Sequence, residues 1–184
     1  MILTARTSTA PTSRLEPPDS HYVKAAQGWL ELANPQAALE ELNQVSPLGR
    51  AHPLFLFLRW ELYAAWRDWP LAYLLGQYLV ELCPQEPLAW LQRSYSLYAL
   101  KRTAEAFEQL LPAAQQFEDS STVAYHLTCY ASQLGCLQEA WHWLDQAIAR
   151  GEADTVKSMA LEDPLLAPLW EHVGECLSPA PREA

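Results

Sequence analysis

The stretch WLQRSYSLYALKRTAEAFEQL, residues 90–110, decides the fold because apolar side chains recur at helical spacing on both sides of a predicted turn at Lys101. Its Ala106 belongs to a row of alanines that recur at one constant interval: Ala38, Ala72, Ala106 and Ala140. A fixed period of about 34 residues indicates one supersecondary unit repeated along the chain. We therefore expect most of the chain to consist of four copies of a helical hairpin.

Further positions keep the same phase and account for both helices of each hairpin. Four and seven residues after the alanines lie Leu42, Gly76, Leu110 and Leu144, then Val45, Leu79, Ala113 and Ala147. Sixteen and nine residues before them lie Tyr22, Leu56, Trp90 and Ala124, then Trp29, Tyr63, Leu97 and Ala131. The residues before the alanines predict the first helix of each hairpin, and those after them predict the second.

With these rows, and with the segment YHLTCYASQLGCLQEAWHWLDQAI at residues 125–148, the chain resembles bacterial tetratricopeptide-repeat proteins over roughly residues 20–152. The resemblance implies an all-α fold, a right-handed helical solenoid of about four antiparallel hairpins with a C-terminal cap. Two features of the family are sparse here. Its turn glycine is present as Gly135, with Ala33, Arg67 and Lys101 at the equivalent positions, and its end-of-repeat proline is clear at Pro84.

We predict repeats at residues 21–47, 53–84, 87–118 and 120–151, after a flexible tail of residues 1–20. The predicted helices cover residues 21–34, 35–45, 53–66, 69–83, 87–100, 103–117, 120–134 and 137–150. Capping helices are expected over residues 153–177, before a tail of residues 178–184, because the last repeat of a stack must cover its apolar face. In the cap, Asp163 is a helix start, and the residues expected to pack inward are Leu165, Leu166, Leu169 and Trp170.

Three residues break the local pattern. Trp60 occupies a position where the other repeats have small side chains, and Gly76 replaces a leucine, so we expect the indole to fill the space that Gly76 leaves. An exposed, ligand-binding Trp60 is the alternative. Pro112 lies inside a predicted helix, where it removes one hydrogen bond and should cause a kink.

Composition limits the function classes. Half of the 184 residues are hydrophobic, with 8 Trp, which is enough to form a core. The net charge of −10 would repel phosphate backbones and anionic membranes, so we expect no nucleic-acid or membrane partner. The longest uncharged runs, such as LAYLLGQYLV after Pro70, are shorter than the roughly 18 to 20 residues of a membrane helix.

Targeting signals and cysteine usage indicate the compartment. Residues 1–20 lack the apolar block of a secretory signal, so we expect a cytoplasmic protein. In that compartment the four cysteines should be reduced and form no disulfides.

The resemblance also implies that the first helix of each repeat lines a concave groove. Carried over by phase, it predicts partner-binding residues at Phe57, Leu58, Glu61, Leu91, Tyr95, Tyr98, Tyr125, His126 and Cys129. The aromatic members are of the type that become hot spots when a peptide or helix covers them. Alternatively, they pack against their neighbours or lie under a terminal segment of the same chain.

We therefore expect a non-catalytic module that binds a protein or peptide partner, without a cofactor, because the sequence has no phosphate loop, nucleophile motif or paired-carboxylate motif. One alternative is a chaperone for a secreted or assembling protein. Another is a self-assembling scaffold, a homo-oligomer that uses Trp66, Trp141 and Trp143. The weakest is a metal-dependent enzyme built on His126 and Cys129, for which Cys136 and His142 are the other conceivable ligands.

Overall fold

The computed structural model describes residues 14–170, which form nine α-helices and two 3-10 helices and contain no strand. The α-helices are α1 (Asp19–Glu31), α2 (Pro35–Gln44), α3 (Pro53–Ala65), α4 (Trp69–Leu82), α5 (Pro87–Ala99), α6 (Thr103–Gln116), α7 (Ser121–Gln133), α8 (Leu137–Arg150) and α9 (Ala153–Glu162). The 3-10 helices are Gly49–Ala51 and Pro164–Leu169. The predicted all-α class is confirmed for this part of the chain.

Helix boundaries repeat with the period of the alanines. The helices α1, α3, α5 and α7 begin at residues 19, 53, 87 and 121, and α2, α4, α6 and α8 begin at residues 35, 69, 103 and 137. Each predicted end of these eight helices lies within three residues of the observed one. Because α1 begins at Asp19, its first two residues lie inside the tail predicted for residues 1–20. Predictions for residues 1–13 and 171–184 lie outside the described residues.

The same turn closes each of the four hairpins. A residue with positive φ follows the first helix, and these residues are Ala33 (54°), Arg67 (59°), Lys101 (64°) and Gly135 (76°). The next backbone N–H donates to the carbonyl five residues earlier, as from Asn34 to Trp29 at 2.8 Å and from Cys136 to Ala131 at 3.0 Å. This is the Schellman arrangement, which satisfies carbonyl groups that a helix end leaves unpaired. One turn geometry therefore sets the direction in which each second helix starts.

The described part of the chain divides into two compact units, the first ending at Ala89 and the second beginning at Trp90. In the first unit, α1 packs on α2, α3 packs on α4, and α3 also contacts α1 and α2. Ala38 and Ala72 of the alanine row are fully buried. Trp60 and Gly76 are also buried, so Trp60 is not an exposed, ligand-binding tryptophan. Packing of the indole into the space left by Gly76 stays a prediction.

In the second unit, α7 packs on α6 and α8, and α9 and the second 3-10 helix both contact α8. Ala106 and Ala140 are fully buried. α6 continues through Pro112, and the carbonyl of Gln109, three residues earlier, accepts a bond from Arg93 Nη2 at 2.6 Å. The kink expected at Pro112 stays a prediction.

The C-terminal segment differs in part from its prediction, because a 3-10 helix rather than a second α-helix follows α9. The Asp163 side chain accepts a bond from the N–H of Leu165 at 2.9 Å, which confirms it as the helix start. Leu166 and Leu169 are fully buried as predicted, and Leu165 is half-buried. Trp170 is 40% exposed, but its indole Nε1 donates to the carbonyl of Ala160 in α9 at 3.1 Å, so it packs inward only in part. None of the helices in residues 14–170 has the length and apolar character needed to cross a membrane.

One carboxylate joins the start of α1 to the loop after α2. Asp19 accepts bonds from the backbone N–H and the hydroxyl of Ser46, and a Cβ added at Gly49 would collide with this carboxylate. Hydrogen bonding from Ser46 lowers the pKa of Asp19 below its usual value of 3.8. The ionised form of Asp19 therefore stabilises the folded state.

Substitutions at two glycines measure the effect of backbone conformation on stability without a change in side-chain packing. A Cβ at Gly28 or at Gly135 would meet no atom within 4 Å, but Gly28 lies inside α1 and Gly135 has a φ of 76°. We expect Gly28→Ala to raise the free energy of unfolding by roughly 0.5–1 kcal/mol. Gly135→Ala should lower it by about 1 kcal/mol, because alanine is strained in the left-handed region. Urea unfolding followed by circular dichroism checks both, and changes of the same sign would contradict this account.

The Asp19 contacts predict a dependence of stability on pH. Because the pKa of Asp19 is lower in the folded state, its contribution is fully present above the usual value of 3.8 and is lost as the pH falls through the folded value. Thermal unfolding of the wild type and of Asp19→Asn should be compared from neutral pH down to strongly acidic pH. The variant should lose less stability on acidification, and equal losses would indicate that Ser46 does not favour the ionised carboxylate.

Candidate functional site

The first unit contributes part of α3 to the predicted partner-binding set. Phe57 and Glu61 are half-buried and lie one turn apart on α3, whereas Leu58 is buried and presents little surface. Burial raises the pKa of Glu61, and repulsion from the Glu31 carboxylate adds to the effect. This part of α3 therefore combines an aromatic ring with a carboxyl group that ionises less readily than usual.

In the second unit, α5 places three predicted residues on one face. Leu91, Tyr95 and Tyr98 are separated by four and three residues, the spacing that aligns side chains along a helix. Tyr95 is 39% exposed, and Leu91 and Tyr98 are half-buried. We call these three residues the α5 surface.

The rings of the α5 surface rest on a buried aromatic support. The Tyr95 and Tyr98 ring centroids are 6.2 Å apart, and Tyr98 stacks on Tyr130 of α7 at 5.5 Å with an interplanar angle of 28°. Tyr130 is almost fully buried, and its hydroxyl lies 3.3 Å from that of Ser94. The half-buried His126 ring lies 6.1 Å from the Tyr130 ring. The exposed Tyr95 is thereby backed by the half-buried Tyr98, which stacks in turn on the buried Tyr130.

Tyr130 is a residue that the sequence analysis missed. The positions in phase with it in the other hairpins are Gly28, Leu62 and Ser96, so the repeat pattern contains no aromatic row there. Its support of Tyr98 depends on how the side chains of α5 and α7 meet, and no spacing along the chain signals it.

The C-terminal segment covers part of the predicted α7 face. The Tyr125 hydroxyl donates to Asp163 Oδ2 at 3.2 Å, and Cys129 Sγ lies 3.6 Å from the same oxygen. Ser132 Oγ and Gln133 Nε2 donate to the carbonyl of Leu165 at 2.8 and 3.0 Å. We call these four bonds the Asp163 clasp. Tyr125 and Cys129, both predicted to bind a partner, thus bind a segment of their own chain, and Cys129 is buried.

The electrostatics of the clasp keep its donors protonated. Burial raises the pKa of the Cys129 thiol and of the Tyr125 hydroxyl, and the Asp163 carboxylate raises both further. Burial lowers the pKa of His126, against the opposing effect of Asp163. At neutral pH, Tyr125 and Cys129 therefore donate to Asp163, and a protonated thiol is a weak nucleophile.

The residues of the metal-enzyme alternative do not come together. His126 and Cys129 lie on α7, Cys136 is exposed just before α8, and His142 packs edge-on against Trp143 at 5.3 Å. Within residues 14–170, no group of three or more His, Cys, Asp or Glu side chains is placed to hold a metal ion. This geometry gives the metal-enzyme alternative no support.

The tryptophans of the self-assembly alternative differ in exposure. Trp66, just after α3, is exposed, whereas Trp141 and Trp143 of α8 are half-buried. Of the three, Trp66 therefore exposes the largest fraction of its side chain to a second molecule.

Burial and the Asp163 clasp together predict how fast each cysteine reacts with a thiol reagent. In a Cys176→Ser background, Cys136 should react rapidly with an aromatic disulfide reagent, and Cys83 and Cys129 slowly, because they are buried. Asp163→Ala should speed Cys129 labelling about tenfold or more, since it removes both a capping bond and a charge that disfavours the thiolate. Peptide mapping by mass spectrometry identifies the labelled residue.

Glu162→Ala is the matched control, because this neighbouring carboxylate is exposed and makes no bond in the clasp. An equal rate for Cys129 in the Asp163→Ala variant and the wild type would show that Asp163 does not hold the segment in place.

Comparison with known proteins gives no family assignment: no family model matches the chain, and no curated protein matches it.

Proposed function

We propose that the chain is a non-catalytic protein-binding module of tetratricopeptide-like repeats that works in the cytoplasm and uses the α5 surface as its main contact. The observation that carries this proposal is Tyr95, which is exposed while its ring rests on Tyr98 and, through it, on buried Tyr130. The constant spacing of helix boundaries supports the repeat assignment.

A supported aromatic side chain is well suited to binding. Burying a tyrosine ring contributes a large apolar area, and a ring that is already held in place loses little conformational entropy on association. Leu91 extends the apolar part of the α5 surface by one turn. This combination fits a peptide or helix that packs apolar side chains against the exposed side of Tyr95 and against Leu91.

The Asp163 clasp limits where the partner lies. Because Asp163 and Leu165 occupy the polar groups of Tyr125 and Ser132, the partner we propose contacts α5 and leaves the α7 face to the C-terminal segment. A chaperone and an adaptor would use the same surface and differ in the lifetime of the complex.

The test compares two aromatic residues of similar exposure. Tyr95→Ala should weaken binding of a captured partner by about 30-fold or more, the loss expected for a hot-spot residue worth roughly 2 kcal/mol. Trp29→Ala removes an aromatic residue that is 38% exposed on α1 and should leave this binding unchanged. Partners are captured from a cell lysate, identified by mass spectrometry and then titrated as purified proteins.

The proposal is overturned if every captured partner binds the Tyr95→Ala variant as tightly as the wild type. Thermal unfolding of both variants establishes that each is folded at the temperature of the titration.

A further inference from the structure

A second, unrelated surface lies in the first unit. An open groove of about 440 Å³ runs between α3 and α4. Its floor is formed by Phe55 and Leu56, which are buried, and one wall by Arg59 and Tyr63, which are half-buried. We call this feature the α3–α4 groove. None of its lining residues belongs to the α5 surface.

The rim of the groove is an exposed apolar stripe of α4. Leu71, Leu74 and Tyr78 are 43%, 59% and 49% exposed and follow each other at spacings of three and four residues. The opposite stripe of α4 contains Ala72 and Leu79, which are fully buried. A surface helix normally has one apolar face. α4 has two, so the outer one needs an explanation other than the core of this chain.

Two arginines, Arg50 and Arg59, supply the charged groups of the lining. The Arg59 guanidinium lies 5.5 Å from the Tyr63 ring centroid and 5.9 Å from that of Phe55, and its Nε donates to the Tyr63 hydroxyl at 2.9 Å. Arg50 donates to the carbonyls of Val45 and Asn43 at 2.9 and 2.7 Å. These partners are neutral, and within residues 14–170 neither guanidinium forms an ion pair with a carboxylate.

The charge of the groove is opposite to that of the chain. The chain has a net charge of −10, yet the groove lining contains two arginines and no acidic residue. Guanidinium groups held by neutral partners keep N–H donors for a carboxylate, and an arginine beside apolar surface forms stronger pairs than one in open water. The complementary ligand therefore presents aliphatic side chains with carboxylates beside them.

We propose that the α3–α4 groove docks an amphipathic segment of a partner protein, in which leucine-like side chains cover the α4 rim and adjacent Asp or Glu side chains pair with Arg59 and Arg50. The groove shares no lining residue with the α5 surface, and its ligand is recognised by different chemistry.

The test selects ligands by chemistry rather than by identity. A random peptide library displayed on phage is panned against the full chain and, in parallel, against Leu74→Gln. Clones that bind the wild type and lose binding to Leu74→Gln should contain more acidic than basic residues, together with aliphatic residues. Leu32→Gln is the matched control, because Leu32 is also exposed and lies outside the groove.

A selected peptide is then synthesised with a fluorophore and titrated by fluorescence polarisation. Arg59→Met, which keeps an apolar stem and removes the charge, should weaken binding by about tenfold or more. Replacing the acidic residues of the peptide by Gln should weaken it similarly, and the two changes together should cost less than the sum of their separate effects. Tyr95→Ala should not affect this peptide, so failure here is distinguishable from failure of the α5 surface.

Three results would overturn the proposal. The first is a selection without any Leu74-dependent clone, and the second is a set of such clones without an acidic excess. The third is sedimentation velocity in which the wild type dimerises with rising concentration and Leu74→Gln does not, because the occupant would then be a second copy of this chain. Circular dichroism of each variant confirms that it is folded.

Discussion

The close approach of paired helices is the constraint on which the rest of the structure depends. At Ala38, Ala72, Ala106 and Ala140 no side-chain surface is exposed, and a larger residue at such a position would push the paired helices apart. Close pairing also requires a short turn, and each of the four hairpins uses the same one, with a single left-handed residue. Three of these residues are not glycine, so their strain is offset by the packing of the helices they join.

Both candidate surfaces are formed by side chains that do not face the paired helix. The positions of a helix that face its partner are fixed by packing, whereas the remaining positions are free to vary. On α5 these positions include Tyr95, which contacts Tyr98, and Tyr98 stacks on Tyr130. On α4 they are Leu71, Leu74 and Tyr78, which line a groove together with two arginines. The run LAYLLGQYLV of α4 has no charged residue, so both faces of this helix are apolar and one of them had to remain outside the core.

The helices were predicted well from the sequence because their signals are local and repeated. The constant period provides four independent indications of each boundary, and prolines at the first helical position of α2, α3 and α5 mark three starts. The candidate site was harder to predict from the sequence. Tyr130 supports Tyr98 across two helices, and Asp163 reaches Tyr125 from a distant part of the chain. Contacts of this kind depend on the angle at which elements pack, which a period along the chain does not encode.

The Asp163 clasp has a consequence for competition. A molecule that bound Tyr125 and Ser132 would compete with the Asp163 and Leu165 groups of the same chain. The effective concentration of such an internal competitor is set by the length of the connecting segment and does not change with the amount of protein present. Dilution cannot remove it. Occupancy of the α7 face by any outside ligand is therefore governed by the fraction of time for which the segment is detached, and the association constant of each outside ligand is multiplied by that fraction.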